Sequence, residues 1–341
     1  MPKRILLLDS SAAMHRYHHS PSAPIITEYQ QRSIEITALH RYLAYTSRLT
    51  SEFSFDQLIH VLDPPNGSTY RKTIYPEYKA NRQESPPEFT LQKQLLPKVL
   101  TAFSQYWVQV SGVESDDVLA TLARKYAERG DLVVVVTPDK DLLQLVEDGR
   151  ISVARPTKDA SGKNSIHVFM DEAAVFDKLG VRPEQVADYL AIVGDDSDNI
   201  KGVHKAGPKT AAQWLEQYGD LDTLMTQASQ IKGKIGERLR ESLGHLPLSR
   251  KLTGVLWDVD VDVQDHPLPK INPQIVAQAR ALTQAKPYWP DDLGVHSSNV
   301  QTPHTSQQSA SQDSTAYSEP EHSDSDFDES QSTYVPTGRK P

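Results

Sequence analysis

The chain of 341 residues contains no cysteine, which excludes disulfide bridges and zinc-thiolate centres and suits a reducing cytoplasm. It also lacks long apolar runs. The first, Ile5 to Leu8, ends at Asp9, too short for a signal peptide, and no later stretch approaches the roughly 20 apolar residues of a membrane helix. A soluble protein is expected. Positive charge is scarce overall, with a formal net charge of −9, which argues against a polyanionic partner until the charge is divided along the chain. Residues 291–341 hold nine acids and two bases, a net of −7, leaving −2 for residues 1–290. Local patches, not the total, decide phosphate binding.

At about 150 residues per domain, the length suggests two units, or one large domain and a tail. Residues 4–9, 58–63 and 131–137 read as strands with helical patterns between them, the signature of an α/β fold with a central, mostly parallel sheet and flanking helices. The run Val133–Val136 suits a central strand covered on both faces. From about residue 174 the pattern turns helical, with turns expected at Gly194, Gly202, Gly207 and Gly236. Beyond Pro290 the chain is rich in Ser, Gln, Thr and Asp and poor in large apolar residues, so a disordered tail is expected.

Nine carboxylates stand at expected strand ends or loop-to-helix junctions: Asp9, Asp63, Glu114, Asp116, Asp117, Asp139, Asp141, Asp195 and Asp198. A parallel sheet would bring Asp9, Asp63 and Asp139 to one edge, where they repel one another unless cations intervene. Each cluster also has an ordinary explanation. Acids in Glu114–Asp117 suit the start of a helix, Asp139 a turn or helix cap, and Asp195 and Asp198 an Asx-rich turn. Three acids in four residues nevertheless exceed capping needs, and an EF-hand is excluded because no Glu follows at the twelfth loop position. Together the clusters point to a divalent-metal site, with two hard ions suited to phosphodiester hydrolysis.

Two further segments point to nucleic acid. Tyr70–Arg82, reading YRKTIYPEYKANR, interleaves bases with aromatics, which suits single strands, although a solvated amphipathic helix has the same composition. Gly202–Leu215 reads as a hairpin entering a helix, with Pro208 in the first turn. Exposed amides there, with Lys209, would make a non-specific phosphate clamp, or simply a helix start.

These residues, in this order, resemble the 5′ nuclease family: the N-terminal 5′-3′ exonuclease domain of bacterial DNA polymerase I and the stand-alone flap endonucleases of bacteria and phages. The resemblance runs over residues 3–262 and is carried by LLLDSS, YRKTIYPEYKANR, GVESDDVLATLA, DKDLLQLV, VGDDSDNIKGV with GPKTA, and LSRKL. It implies a PIN-like 5′ nuclease domain at 1–173 with a helical arch at 67–100, a helix-hairpin-helix DNA-binding region at 174–285 and the acidic tail at 286–341.

It also implies two Mg²⁺ ions, replaceable by Mn²⁺. Asp9, Asp63, Glu114, Asp116 and Asp117 match ligands of the tighter ion, directly or through water. Asp139 and Asp141 fall between the ions, and Asp195 and Asp198 serve the second. Lys79 and Arg82 match arch bases that steer the scissile phosphate and, with Asp139 and Asp141, are the expected catalytic residues. Tyr78 is expected to stack and Arg71 to touch phosphate. Gly202, Lys205, Gly207 and Lys209 would grip duplex DNA, where relatives also hold K⁺.

Ser10 and Pro138 stand where the family usually has Gly, and Lys205-Ala206-Gly207 replaces Gly-Ile-Gly, so Lys205 meets a conformational cost if its φ is positive. With no polymerase domain following, a stand-alone, monomeric nuclease of 5′ flaps and 5′ ends is expected, acting in replication or repair in the cytoplasm, or the host cytoplasm if phage-encoded. The alternatives are a catalytically weak DNA-binding protein on the same fold and a PIN-like ribonuclease. The tail, with Asp324–Glu329, is a candidate contact for a basic replication protein or a solubilising segment.

Overall fold

In the computed structural model, which describes residues 2–65, 67, 69–158, 165–263 and 273–284, strand β1 (Arg4–Asp9) runs directly into helix α1 (Ser10–His18). A hairpin of β2 (Ile26–Tyr29) and β3 (Arg32–Glu35) leads to α2 (Thr37–Glu52) and β4 (Gln57–Leu62). The short α3 (Tyr70–Ile74), a series of turns to Arg82, and α4 (Pro87–Ala102) follow. Then come β5 (Tyr106–Gln109), α5 (Ser115–Glu128), β6 (Leu132–Val136), a 3-10 turn at Asp141–Leu145, and the antiparallel pair β7 (Ile151–Lys158) and β8 (Ser165–Met170). The remainder is helical: α6 (Glu172–Leu179), α7 (Val186–Val193), α8 (Pro208–Tyr218), α9 (Leu221–Thr226), α10 (Gly233–Ser242), α11 (Leu246–Thr253) and α12 (Pro273–Thr283).

The main sheet has the order β5-β4-β1-β6-β7-β8, parallel except for β8. Side chains alternate across it as the pleat requires: Ile5 and Leu7 enter one core with α5 and α7, while Leu6 and Leu8 enter the other with α1, α2 and α4. The chain goes from β1 to β4 and β5 on one side and then crosses to β6 on the other. This switch opens a crevice at the carboxyl ends of the central strands, where open α/β sheets bind their ligands.

The three strands expected from sequence are present. Strands β5, β7 and β8 and the β2–β3 hairpin had no comparable signal: β5 is only YWVQ, and β7 carries Arg155 and Pro156. Within the range 67–100 expected to form the arch, α3 and most of α4 are helical, and residues 76–82 between them form turns and a bend. Gly236 lies inside α10 and not in a turn; a Cβ there would meet the Ile231 carbonyl oxygen at 1.9 Å. Among the described residues no helix is long and apolar enough to cross a membrane. The tail beyond Pro290 lies outside the described residues.

Helices α7 and α8 flank the hairpin 194–207. Val203 donates its amide to Ile192 O at 2.8 Å, and Ala206 to Val203 O at 2.9 Å, closing the turn that Lys205 tops at φ +61. Lys205 therefore does occupy the left-handed conformation, which costs a non-glycine residue roughly 1–2 kcal/mol. Gly194 (φ +83) and Gly202 lie back to back; a Cβ on Gly202 would stand 2.4 Å from the Val193 carbonyl carbon. Gly207 has an ordinary extended backbone and open space beside it. Gly202→Ala is expected to cost about 2–3 kcal/mol in urea unfolding, whereas Gly207→Ala costs under about 0.5 kcal/mol; equal costs would contradict this packing.

Candidate active site

A cleft of about 420 Å³ opens at the carboxyl ends of the central strands and is lined by seven of the nine carboxylates, Asp9, Asp63, Glu114, Asp116, Asp139, Asp141 and Asp198. Asp9 ends β1 and caps α1: its Oδ1 accepts the Ala12 amide at 2.9 Å and its Oδ2 the Thr137 hydroxyl at 2.8 Å. Asp63 follows β4 and accepts both the amide and the hydroxyl of Ser115 at 2.9 Å, tying the sheet edge to the start of α5. Asp139 follows β6 and accepts the Asp141 amide at 2.8 Å.

The electrostatics record how crowded this edge is. Burial, reinforced by Asp63 and Asp139 against the Ala12 and Thr137 hydrogen bonds, pushes the Asp9 carboxyl up to about 7. Burial and then Asp139, Asp9 and Asp63 hold Asp116 well above the usual carboxylate range; burial and Asp139 do the same to Asp141. Asp141 Oδ1 is buried without a hydrogen-bond partner. Hard oxygen donors with repelling charges fit divalent cations such as Mg²⁺. Among the described residues, however, no three carboxylate or imidazole groups stand close enough as they are to coordinate one ion.

Basic side chains hold part of the charge instead. Lys79 Nζ lies 3.0 Å from Glu114 and 3.7 Å from Asp198, and Arg82 pairs with Asp198. Burial works against the charge on Lys79, but Glu114 and Asp198 outweigh it and keep its pKa above the ordinary value. Lys140 lies 3.3 Å from Asp195, which does not line the cleft. Burial opposes ionisation of Asp195, yet Ser197 and Lys140 prevail and lower its pKa.

Three of the expected site residues have their polar groups taken by protein partners, and two of them, Arg71 and Tyr78, also line the cleft. Asp117 is fully buried outside the cleft, both oxygens taken by Arg71 at 2.6 and 2.8 Å and one also by the Leu256 amide. Arg71, expected on phosphate, is 3% exposed. Its donors go to Asp117, Glu114 and the carbonyls of Leu252 and Gly254, so it clamps α5 to the end of α11. Tyr78, expected to stack on a base, is buried against Ile200 and Leu252. Its hydroxyl lies 3.0 Å from Glu114 and 3.1 Å from Asp198, the single proton bridging two carboxylates.

Of the hairpin residues, Lys205, Gly207 and Lys209 are exposed, but they do not line the cleft. Ser10 is buried and starts α1 with its hydroxyl 2.6 Å from Tyr42 Oη, so glycine is not needed there. Pro138 lines the cleft and accepts Arg155 Nη2 at 2.6 Å through its carbonyl. The cleft is also lined by His15 and Arg16 of α1 and by His19 just past its end, for which no role was expected from sequence. They follow Asp9 and Ala12 at helical spacing, the signal that places them on the same face. Burial, followed by Lys93, lowers the His15 pKa to about 4, so its ring is neutral.

The family model described as 5′-3′ exonuclease, N-terminal resolvase-like domain, matches residues 4–180, and the 5′-3′ exonuclease, C-terminal SAM fold, matches residues 181–274. The chain belongs to the 5′-3′ exonuclease family. It is 34% identical over 258 residues to DNA polymerase I of Mycobacterium tuberculosis, covering 76% of this chain and only 28% of that protein. It is 30% identical over 273 residues to a 5′-3′ exonuclease of Aquifex aeolicus, covering 80% of this chain and 89% of that one. T5 5′-exonuclease with bound zinc ions shares the 5′-3′ exonuclease fold at a TM-score of 0.57 and 21% identity, over 74% of this chain and 89% of that chain. The catalytic core of Rad2 in complex with DNA substrate gives a TM-score of 0.54 at 14% identity, over 84% of this chain and 89% of that chain, the shared element being the fold.

Because the folded-state pKa of Asp9 lies near 7 and the unfolded value near 3.8, the folded state retains this proton more strongly. Its contribution to metal-free stability is present below about pH 4 and fades as pH rises towards 7. Asp116→Asn or Asp141→Asn, which removes a buried carboxylate that its neighbours disfavour, is expected to raise the metal-free melting temperature at pH 7.5 by about 2–4 °C. Differential scanning calorimetry in EDTA checks this; a lowered melting temperature for both variants would contradict the crowding.

Proposed function

We propose that this chain hydrolyses DNA phosphodiester bonds at 5′ ends and at the base of 5′ single-stranded flaps, using two Mg²⁺ ions for which Mn²⁺ can substitute. The observation that carries the reading is the meeting of seven carboxylates with Lys79 and Arg82 around one cleft.

In this reading Asp9, Asp63, Asp116 and Glu114 would hold one ion, Asp139 and Asp141 would be available to either, and Asp198, with Asp195 nearby, would serve the second. Bound ions supply charge neutralisation and an activated water for in-line displacement. Thr137 and the Ala12 amide orient Asp9, and Ser115 orients Asp63, so the oxygen donors are fixed before any ligand arrives. Lys79 and Arg82 exchange their carboxylate partners for the oxygens of the scissile phosphate. Asp117 holds Arg71, which in turn holds Glu114, the carboxylate that the Tyr78 hydroxyl also meets. The exposed Lys205, Lys209 and the start of α8 take the phosphates of the duplex beyond the cut.

A 5′-labelled flap duplex incubated with Mg²⁺ should be cut near the junction, leaving a 5′-phosphate. Asp139→Asn/Asp141→Asn should lose at least about 10²–10³-fold of the single-turnover rate while binding the flap duplex normally. Binding without cleavage by the unmodified protein, in either Mg²⁺ or Mn²⁺, would overturn the assignment.

A further inference from the structure

Beyond the ion pairs, the basic turn 77–82 and the acidic loop 195–199 are joined by four hydrogen bonds that use main-chain groups. The Lys79 amide donates to Asp198 O at 3.1 Å, and Arg82 Nε to Ser197 O at 3.2 Å. The Asn81 side-chain amide donates to Asp196 O at 2.5 Å, and the Asn199 side-chain amide crosses in the other direction to Glu77 O at 2.8 Å. Both turns use a left-handed residue at the meeting point, Lys79 at φ +57 and Asn199 at φ +56. Asn accepts that conformation more readily than most residues.

The two kinds of contact differ in what happens on ligand binding. The pairs Lys79–Glu114 and Arg82–Asp198 join charges that a cation and a phosphate would each claim, so they must part when the site fills. The amides of Asn81 and Asn199 bind only main-chain oxygens and carry no charge. They can persist while the ion pairs exchange. Resting on the nuclease reading above, we propose that Asn81 and Asn199 are positioning residues: they clasp the basic turn to the acidic loop, so that Lys79 and Arg82 remain above the reacting phosphate after releasing their carboxylates.

Asn199→Gly keeps the left-handed backbone and removes only the side-chain bond; Asn81, being exposed, can be changed to Ala without disturbing the core. With a 5′-flap duplex and Mg²⁺, each variant should lower the single-turnover rate by about 10- to 100-fold, the scale of a small misplacement. The dissociation constant for the same duplex without divalent metal should change less than about twofold, since these groups do not grip the duplex. In a Lys79→Ala/Arg82→Ala background, Asn199→Gly should produce no further loss, because it acts through those two bases. Full single-turnover rates in both clasp variants, or losses that multiply with those of the double base variant, would overturn the proposal. Independently of catalysis, Asn199→Gly should accelerate hydrogen exchange at the Lys79 amide in metal-free protein, and unchanged exchange would also overturn it. Loss of all cleavage in the unmodified protein would instead count against the nuclease reading, leaving the exchange measurement to decide the clasp.

Discussion

Repulsion among carboxylates at the carboxyl edge of a parallel sheet is the constraint around which the rest of this molecule is arranged. The order β4-β1-β6 brings Asp63, Asp9 and Asp139 to one edge by topology alone, and the start of α5 adds Glu114 and Asp116. Nothing in folding favours such a concentration. Burial withdraws these acids from water, and each one makes the next harder to ionise. The cluster is the kind of locally costly arrangement that a fold retains at a functional site.

The surrounding structure distributes that charge in three ways. Protons stay on Asp9 well above the usual carboxylate range. Fixed dipoles and hydroxyls, from Ala12, Thr137 and Ser115, orient the oxygens. Cations on separate segments cover the rest: Arg71 saturates Asp117 and braces Glu114, while Lys79 and Arg82 reach Glu114 and Asp198. The helical region is coupled to the same centre. Ser249 donates to Lys201 O at 2.7 Å, and Leu252 packs on Tyr78 while its carbonyl accepts Arg71. The LSRKL motif thereby links the hairpin to the cleft.

Much of this was legible in the sequence because the relevant patterns are local. Largely apolar runs followed by Asp, directly in β1 and β4 and after Thr137-Pro138 in β6, identify these strands, and the helical spacing behind Glu114–Asp117 places α5. The missed strands are short, as in β5, or interrupted by polar residues or Pro, as in β7 and β8, and are strands because neighbours pair with them. At the site, residue type identified the charged groups but not their partners. Asp117, Arg71 and Tyr78 carry the residue types of a ligand, a phosphate contact and a stacking platform, yet long-range contacts occupy the polar groups of all three, and only Arg71 and Tyr78 still line the cleft. The two asparagines of the clasp are separated by more than a hundred residues, so nothing in either segment alone announces their meeting.

In the proposed nuclease, divalent cations replace the protons and bases that share the cluster's charge. Isothermal titration of metal-free protein with Mg²⁺ at pH 7, repeated in buffers of different ionisation enthalpy, counts protons directly. Net release of protons on binding, growing as pH is lowered from 7 towards 6, is the predicted result. Binding with no proton release across that range would contradict the account.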